Sequence, residues 1–219
     1  MNIKEIMKTP LFINMTKEEV GEVLKELTAY KKDYLKNEYI MCAGDSTKLV
    51  GIVLKGAVTI EANDVWGNKT ILSHVGENGI FAETYALIPN ETMLVDVCAN
   101  TDSTILFIDM SGILSKSNMT SWMIKLIKNT LKISMHKNLI LSKRSFHISK
   151  KGARERLLSY LNTMSLQKHS NEFDIPFNRQ QLADYLNLER TNMSKELGRM
   201  QKDGLIEFKK NHFILKTVN

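Results

Sequence analysis

The stretch Asn178 to Met200, NRQQLADYLNLERTNMSKELGRM, reads as two short helices joined by a tight turn. In its first half Leu182, Ala183 and Leu186 fall at helical spacing, with a small residue where two helices would cross. Asn187 then supplies a residue that tolerates positive φ at the turn. In the second half Leu188, Met193 and Leu197 are the buried positions, which leaves Arg190, Thr191, Ser194, Lys195 and Arg199 to project outward. Arg and Lys suit guanine O6/N7 and phosphates, and Ser and Thr donate to or accept from either, so this face fits a major groove.

Many helical hairpins carry a solvated basic face, so the flanking sequence has to decide. Gln201-Lys202-Asp203-Gly204 is a helix stop with Gly placed for a left-handed cap. Leu205 to Phe208, a turn at Lys209-Lys210-Asn211-His212, and Phe213 to Leu215 then predict a β-hairpin. A helix-turn-helix followed by a hairpin is a winged helix, and Lys209 and Lys210 at the wing tip are placed to touch phosphate.

Charge supports this reading. The 219 residues carry a net charge of +6, unevenly spread. Residues 1–109 hold 10 Lys+Arg against 16 Asp+Glu, a net of −6, and residues 110–219 hold 20 against 8, a net of +12. Basic charge is thus segregated into the half with the helix-turn-helix, the footprint of a phosphate-binding module beside an acidic partner domain. A hydrophobic content of 43% provides core for two domains. No apolar run approaches a membrane span, and MNIKEIMKTP lacks the apolar core of a signal peptide, so a cytoplasmic protein with no membrane partner is expected. Cys42 and Cys98 lie far apart without metal-ligand spacing, which excludes a zinc knuckle or a four-cysteine cluster built from one chain. No metal site is expected, and both thiols, lying in apolar strand-like segments, are predicted to be buried.

Towards the N-terminus, Thr16-Lys17-Glu18-Glu19 is a capping box, followed by Val20, Val23, Leu24 and Leu27 on one helical face. From Tyr30 to Met110 short apolar runs alternate with the turn residues Gly44-Asp45, Gly56, Gly67-Asn68, Gly76, Asn78-Gly79 and Pro89-Asn90. Strands are predicted over Val50–Ile60, Lys69–Val75, Leu94–Ala99 and Thr104–Ile108, the spacing of a β-barrel or jelly roll with an interior to hold a ligand. Ser111 to Phe146 reads as a long helix with two apolar stripes. Met119, Trp122, Leu126, Ile133 and Ile140 form an a/d-like seam, with Asn129 and His136 at intervening positions; Met123, Ile127 and Leu131 form the second stripe. One stripe would pack on the barrel, and the seam would form a parallel coiled-coil dimer whose polar residues fix register. His147-Ile148-Ser149 reads as a hinge, and Arg154 to Met164, with Leu157, Leu158 and Leu161, opens the DNA-binding domain. The expected fold is α+β, with a β-barrel sensor domain over 1–110, a dimerisation helix over 111–147 and a winged helix-turn-helix over 148–219.

This order, together with Arg190-Thr191-Asn192-Met193-Ser194-Lys195-Glu196-Leu197 and Asp203-Gly204-Leu205-Ile206, resembles the Crp/Fnr family of bacterial transcription regulators across essentially the whole chain. The resemblance implies base reading by Arg190, Thr191, Ser194 and Lys195, with Asn192 a phosphate or base-edge contact. It implies as partners a palindromic double-stranded operator, a second copy of the chain, RNA polymerase and a small-molecule effector of unstated identity. Ile80-Phe81-Ala82-Glu83 is similar to the Phe-Gly-Glu start of the family's phosphate-binding cassette. Cyclic-nucleotide binders have Gly where Ala82 stands and an Arg-Ser or Arg-Thr pair where Met93-Leu94 stand, and only Glu83, the ribose-contacting position, is kept. A buried phosphate without a cationic partner costs several kcal/mol, so the pocket formed by Phe81, Ala82, Glu83, Met93 and Leu94 is expected not to take cyclic AMP.

Two other readings stay open on sequence. One is a cyclic-nucleotide-controlled regulatory subunit or interaction module, against which the helix-turn-helix and the C-terminal charge argue. The other is a thiol or haem sensor built on Cys42, Cys98, His74 or His136. An enzyme has no support, since neither a Gly-rich phosphate loop nor a nucleophile–base pattern is present.

Overall fold

The computed structural model describes residues 3–63 and 69–216. The chain divides into two compact units, Met1–His136 and Lys137–Asn219.

In the first unit, helices α1 (Ile3–Ile6) and α2 (Lys17–Glu26) precede the strands. The capping box at Thr16 forms as expected: its hydroxyl accepts from the Glu19 N–H at 3.2 Å, and Glu19 Oε2 accepts from the Thr16 N–H at 2.8 Å. Strands β1 (Tyr30–Tyr34), β2 (Tyr39–Met41), β3 (Leu49–Lys55), β4 (Val58–Asn63), β5 (Lys69–Val75) and β6 (Ile80–Phe81) follow. Helix α3 (Glu83–Leu87) separates them from β7 (Asp96–Ala99) and β8 (Ser103–Asp109). They form two antiparallel sheets, ordered β1-β8-β3-β6 and β2-β7-β4-β5. The single strand predicted over Val50–Ile60 is therefore two strands in different sheets. Gly56 makes the corner: it takes φ +85°, and a Cβ there would lie 2.5 Å from the Asp102 carbonyl oxygen. The turn expected at Gly67-Asn68 lies outside the described residues.

Strands β3 and β8 are apolar on both faces because both are covered. Val50, Ile52, Leu106 and Ile108 pack with Phe12, Val20 and Val23 from the helical segment. The opposite face, with Val53, Ile105 and Phe107, meets Val58, Val97 and Ala99 of the second sheet. Described side chains from both sheets, Val53, Val58, Phe81, Val97, Ile105 and Phe107 among them, form a buried cluster between the sheets.

Helix α4 (Ser121–Ile148) runs through the division between the units. Its first turns correct the expected dimer seam. Trp122 and Leu126 are buried against the helices and strands of their own chain, Ile133 is packed against the same core, and Met119 lies ahead of the helix. Asn129 is no interhelical register residue: its Nδ2 donates to the carbonyls of Leu11 and Ile13, each at 2.9 Å. Of the second stripe, Met123 is buried too. Apolar side chains that α4 leaves exposed include Ile124, Leu131, Met135, Leu139, Ile140, Leu141 and Phe146.

In the second unit α4 continues through His147 to Ile148, and the chain bends between Ser149 and Gly152 before α5 (Ala153–Lys168). Strand β9 (Glu172–Asp174), helices α6 (Arg179–Leu186) and α7 (Arg190–Lys202), and strands β10 (Ile206–Lys209) and β11 (His212–Leu215) complete it. Leu157, Tyr160 and Leu161 of α5 share one core with Leu182, Leu186, Met193, Leu197, Ile206 and Phe213. The winged helix is thus formed as read, with one strand the sequence did not show: β9 pairs with β11 to make the wing three-stranded.

Candidate nucleic-acid interface and sensor interior

Asn178 and Gln181 form a reciprocal capping box that starts α6. Asn187 ends the helix at φ +51°, the turn conformation its side chain tolerates. The exposed carbonyls at that end are gripped by two arginines, a favourable placement of positive charge at a helix C-terminus. Arg156 donates from Nη1 to the Leu186 carbonyl at 3.2 Å and the Asn187 carbonyl at 2.8 Å. Arg144, from the end of α4, donates to the Tyr185 and Asp184 carbonyls at 3.0 Å each. The turn between the two helices is thereby fixed.

Helix α7 buries Met193, Leu197 and Met200, while Leu188 packs at the margin of the core. Arg190, Thr191, Asn192, Ser194, Lys195 and Arg199 are all exposed on its other side. Two of these are already engaged. The Thr191 hydroxyl donates to the carboxylate of Glu189, and Arg199 Nη1 lies 3.2 Å from Glu196 Oε2. Glu196 is buried and accepts from Arg154 Nε at 2.6 Å, with Arg154 Nη2 also 2.7 Å from Asp203. The Arg154 hydrogen bond foremost holds the Glu196 carboxyl below the usual carboxylate range. The recognition helix is so anchored to α5 by a charge-assisted bond.

In the wing Lys209 is paired with His212, and the turn is Lys210-Asn211, with Lys210 at φ +54°. Lys209 and Lys210 are exposed. His212 sits between Asp174 Oδ1 at 3.0 Å and Glu172 Oε1 at 3.2 Å. The rings of Phe208 and Phe213 stack, and the Arg179 guanidinium lies 4.9 and 5.3 Å from their centroids. Arg179 thus ties the first residue of α6 to the wing. Sequence reading missed Arg144, Arg156 and Arg179 because each acts through a neighbour brought close by folding. It missed Glu189 because glutamate is not among the usual N-cap residues, so its letter carries no cap signal.

A buried aromatic cluster lies behind the two recognition elements. His147 is 1% exposed, its Nδ1 is 2.8 Å from Ser159 Oγ, and the rings of Tyr160, Tyr185 and Phe146 surround it. Burial lowers the His147 pKa from its ordinary value of 6.5.

In the first unit the residues proposed for an effector pocket part company. Phe81 and Met93 are buried in the core between the sheets, Met93 at 1% exposure, while Leu94 is 74% exposed. Phe81 lies over Gly51, where a Cβ would meet the ring at 2.1 Å. Ala82 precedes α3 at φ +63°, and Glu83 is buried in the first turn of that helix. The Leu94 N–H donates to the Tyr85 hydroxyl at 3.3 Å. Of the thiols, Cys98 is buried as expected, but Cys42 is exposed, a correction: it lies just past the end of β2, at a turn in which its carbonyl accepts from the Asp45 N–H at 3.3 Å. His74 and His136 are exposed. Thr59 of β4 is paired with both Cys98 and His74, so a strand separates that thiol from that imidazole. Among the described residues no group of three or more His, Cys, Asp or Glu could hold a metal ion, and no helix is long and apolar enough to cross a membrane.

A family model described as Cyclic nucleotide-binding domain matches residues 31–117, and one described as Crp-like helix-turn-helix domain matches residues 155–218. The chain belongs to the Crp/Fnr family of transcription regulators. It is a helix-turn-helix DNA-binding protein with a cyclic-nucleotide-binding-like sensor domain. Electron transport regulator A of Shewanella oneidensis is 25% identical over 206 residues, covering 88% of this chain and 77% of that protein. The catabolite activator protein of Thermus thermophilus shares the fold at a TM-score of 0.51 and 20% identity, covering 95% of this chain and 94% of that one. So does CLP of Xanthomonas campestris, described as a c-di-GMP responsive global regulator, at 0.57 and 18%, covering 91% and 100%.

Proposed function

We propose that the chain acts as a homodimer on a palindromic operator, and that its sensor barrel does not bind cyclic AMP. The observation that carries the dimer is the face of α4 left uncovered. Ile124, Leu131, Met135 and Leu139 are exposed and recur at spacings of seven, four and four, one stripe of a helix. A parallel pair of such helices relates two recognition helices by a twofold axis and sets half-sites about 34 Å apart. The seam is therefore this stripe and not the one through Trp122 and Leu126.

Against cyclic AMP stands the packed interior. Met93 offers no charge to a phosphate, and its side chain and Phe81 are core residues. A ligand would have to displace apolar packing and bury an uncompensated anion, each at a cost of several kcal/mol. On this reading the protein is a cytoplasmic regulator and not an enzyme, it meets RNA polymerase at the promoter, and its effector is other than cyclic AMP.

Selection of binding sites from random DNA, with sedimentation of the same preparation, tests the proposal. Recovery of inverted repeats by a dimer is expected; asymmetric single half-sites or a micromolar monomer would sink it. A ligand at a hundred times its dissociation constant adds about 2.7 kcal/mol of stability. A millimolar cyclic AMP titration should therefore leave the melting temperature unmoved, and a clear shift would overturn the reading of the barrel.

A further inference from the structure

Ser, Thr, Asp and Asn are the usual residues at a helix N-cap. The recognition helix has a glutamate there. Glu189 Oε1 accepts from the Thr191 N–H at 2.9 Å, and Oε2 accepts from the Asn192 N–H at 2.8 Å and from the Thr191 hydroxyl. These bonds, that from the Thr191 hydroxyl foremost, hold its carboxyl below the usual range, so the group is an anion throughout the neutral range. The side chain is exposed and at the end of the helix that leads into the groove.

A carboxylate has roughly four acceptor sites. Three are used, which leaves one on Oε1, held in a fixed direction. We propose that Glu189 is a specificity-determining residue that accepts a hydrogen bond from the exocyclic N4 amino group of a cytosine in each half-site. The major groove presents only two amino donors, cytosine N4 and adenine N6. Adenine sets the N7 acceptor beside its amine, facing the second carboxylate oxygen, whereas cytosine sets a C–H there. Guanine O6 and N7 and thymine O4 are acceptors and repel the anion. The backbone N–H groups that at other helix N-termini receive a phosphate are already bonded to Glu189, so this helix end rejects phosphate and reads a base.

The inference rests on sequence-specific DNA binding, and its test separates the two. In the operator selected by the wild-type protein, each cytosine is replaced in turn by an analogue lacking the 4-amino group, and dissociation constants are measured for wild type and Glu189→Ser. Serine also caps helices, and an unchanged melting temperature verifies that the variant is folded. At one position per half-site the lost amine should weaken wild-type binding tenfold or more and the variant less than threefold. Equal effects in both proteins at every position would overturn the assignment. So would a Glu189→Ser protein that binds operator and random DNA more tightly to the same degree, since Glu189 would then only repel phosphates. A wild-type protein that selects no sequence at all would instead sink the DNA-reading premise.

Discussion

At position 82 an alanine holds a backbone conformation, φ +63°, that glycine adopts without penalty. The left-handed region costs an L-residue about 1–2 kcal/mol, offset in part by the extra freedom glycine has when unfolded. Ala82→Gly should therefore stabilise the protein by about 0.5–1 kcal/mol, read as a higher urea midpoint; a lower midpoint would show that the methyl's packing matters more. This residue also marks how far single positions are legible. The loss of glycine and of an arginine pair is visible in the letters Ala82 and Met93-Leu94. That Met93 turns into the core while Leu94 turns out is not, because alternation about an irregular loop follows the bonds of Asp45 and Gly44 with Met93, each 2.8 Å, which only the fold supplies. Cys42 was unreadable for the same reason.

At the scale of elements, α6, α7 and the wing hairpin are legible because caps, turn residues and helical period are local signals. Strand β9 is three residues long and has no period of its own; it exists because β11 offers it an edge. Helix α4 shows the limit of periodicity more sharply. Both stripes read from the spacing, through Trp122 and Leu126 and through Met123 and Ile127, begin in the core of their own chain. The exposed stripe through Ile124, Leu131, Met135 and Leu139 lies on another side of the helix, because apolar spacing does not say how wide a face the fold covers. Near the end of that helix His147 gives a pH dependence. Its folded pKa lies below its ordinary value of 6.5, so the unfolded chain takes up a proton first as pH falls. Its stabilising effect is full above about pH 6.5, declines as pH drops below that value and levels off below the folded pKa. Melting temperature measured from pH 7.5 to pH 5 should fall more steeply for wild type than for His147→Asn, whose amide can keep the bond to Ser159. Parallel curves would show that His147 does not titrate on unfolding.

For the molecule as a whole, the split of charge into −6 and +12 halves was legible from a count, and it matches the placement of the helix-turn-helix in the basic half. Assembly is less so, since it depends on what one chain leaves uncovered. Leu131 is 57% exposed, so charge introduced there disturbs no core of the single chain. Leu131→Glu should yield a folded monomer whose affinity for a palindromic site drops by two orders of magnitude or more, while its weak affinity for one half-site is kept. Sedimentation together with titration on both DNAs checks this, and an intact dimer would place the interface on another face.

The guanidinium of Arg179 resting on the stacked rings of Phe208 and Phe213 has a mechanical consequence. A wing held in this way to α6 swings less readily to meet a backbone that lies out of place. If the lysines at 209 and 210 touch phosphate as proposed, the span from α6 to them would act as a stiff gauge laid against the duplex. Sites with the same letters would then differ in occupancy according to their local winding, because an overwound or underwound stretch carries its phosphates past the points where the gauge expects them.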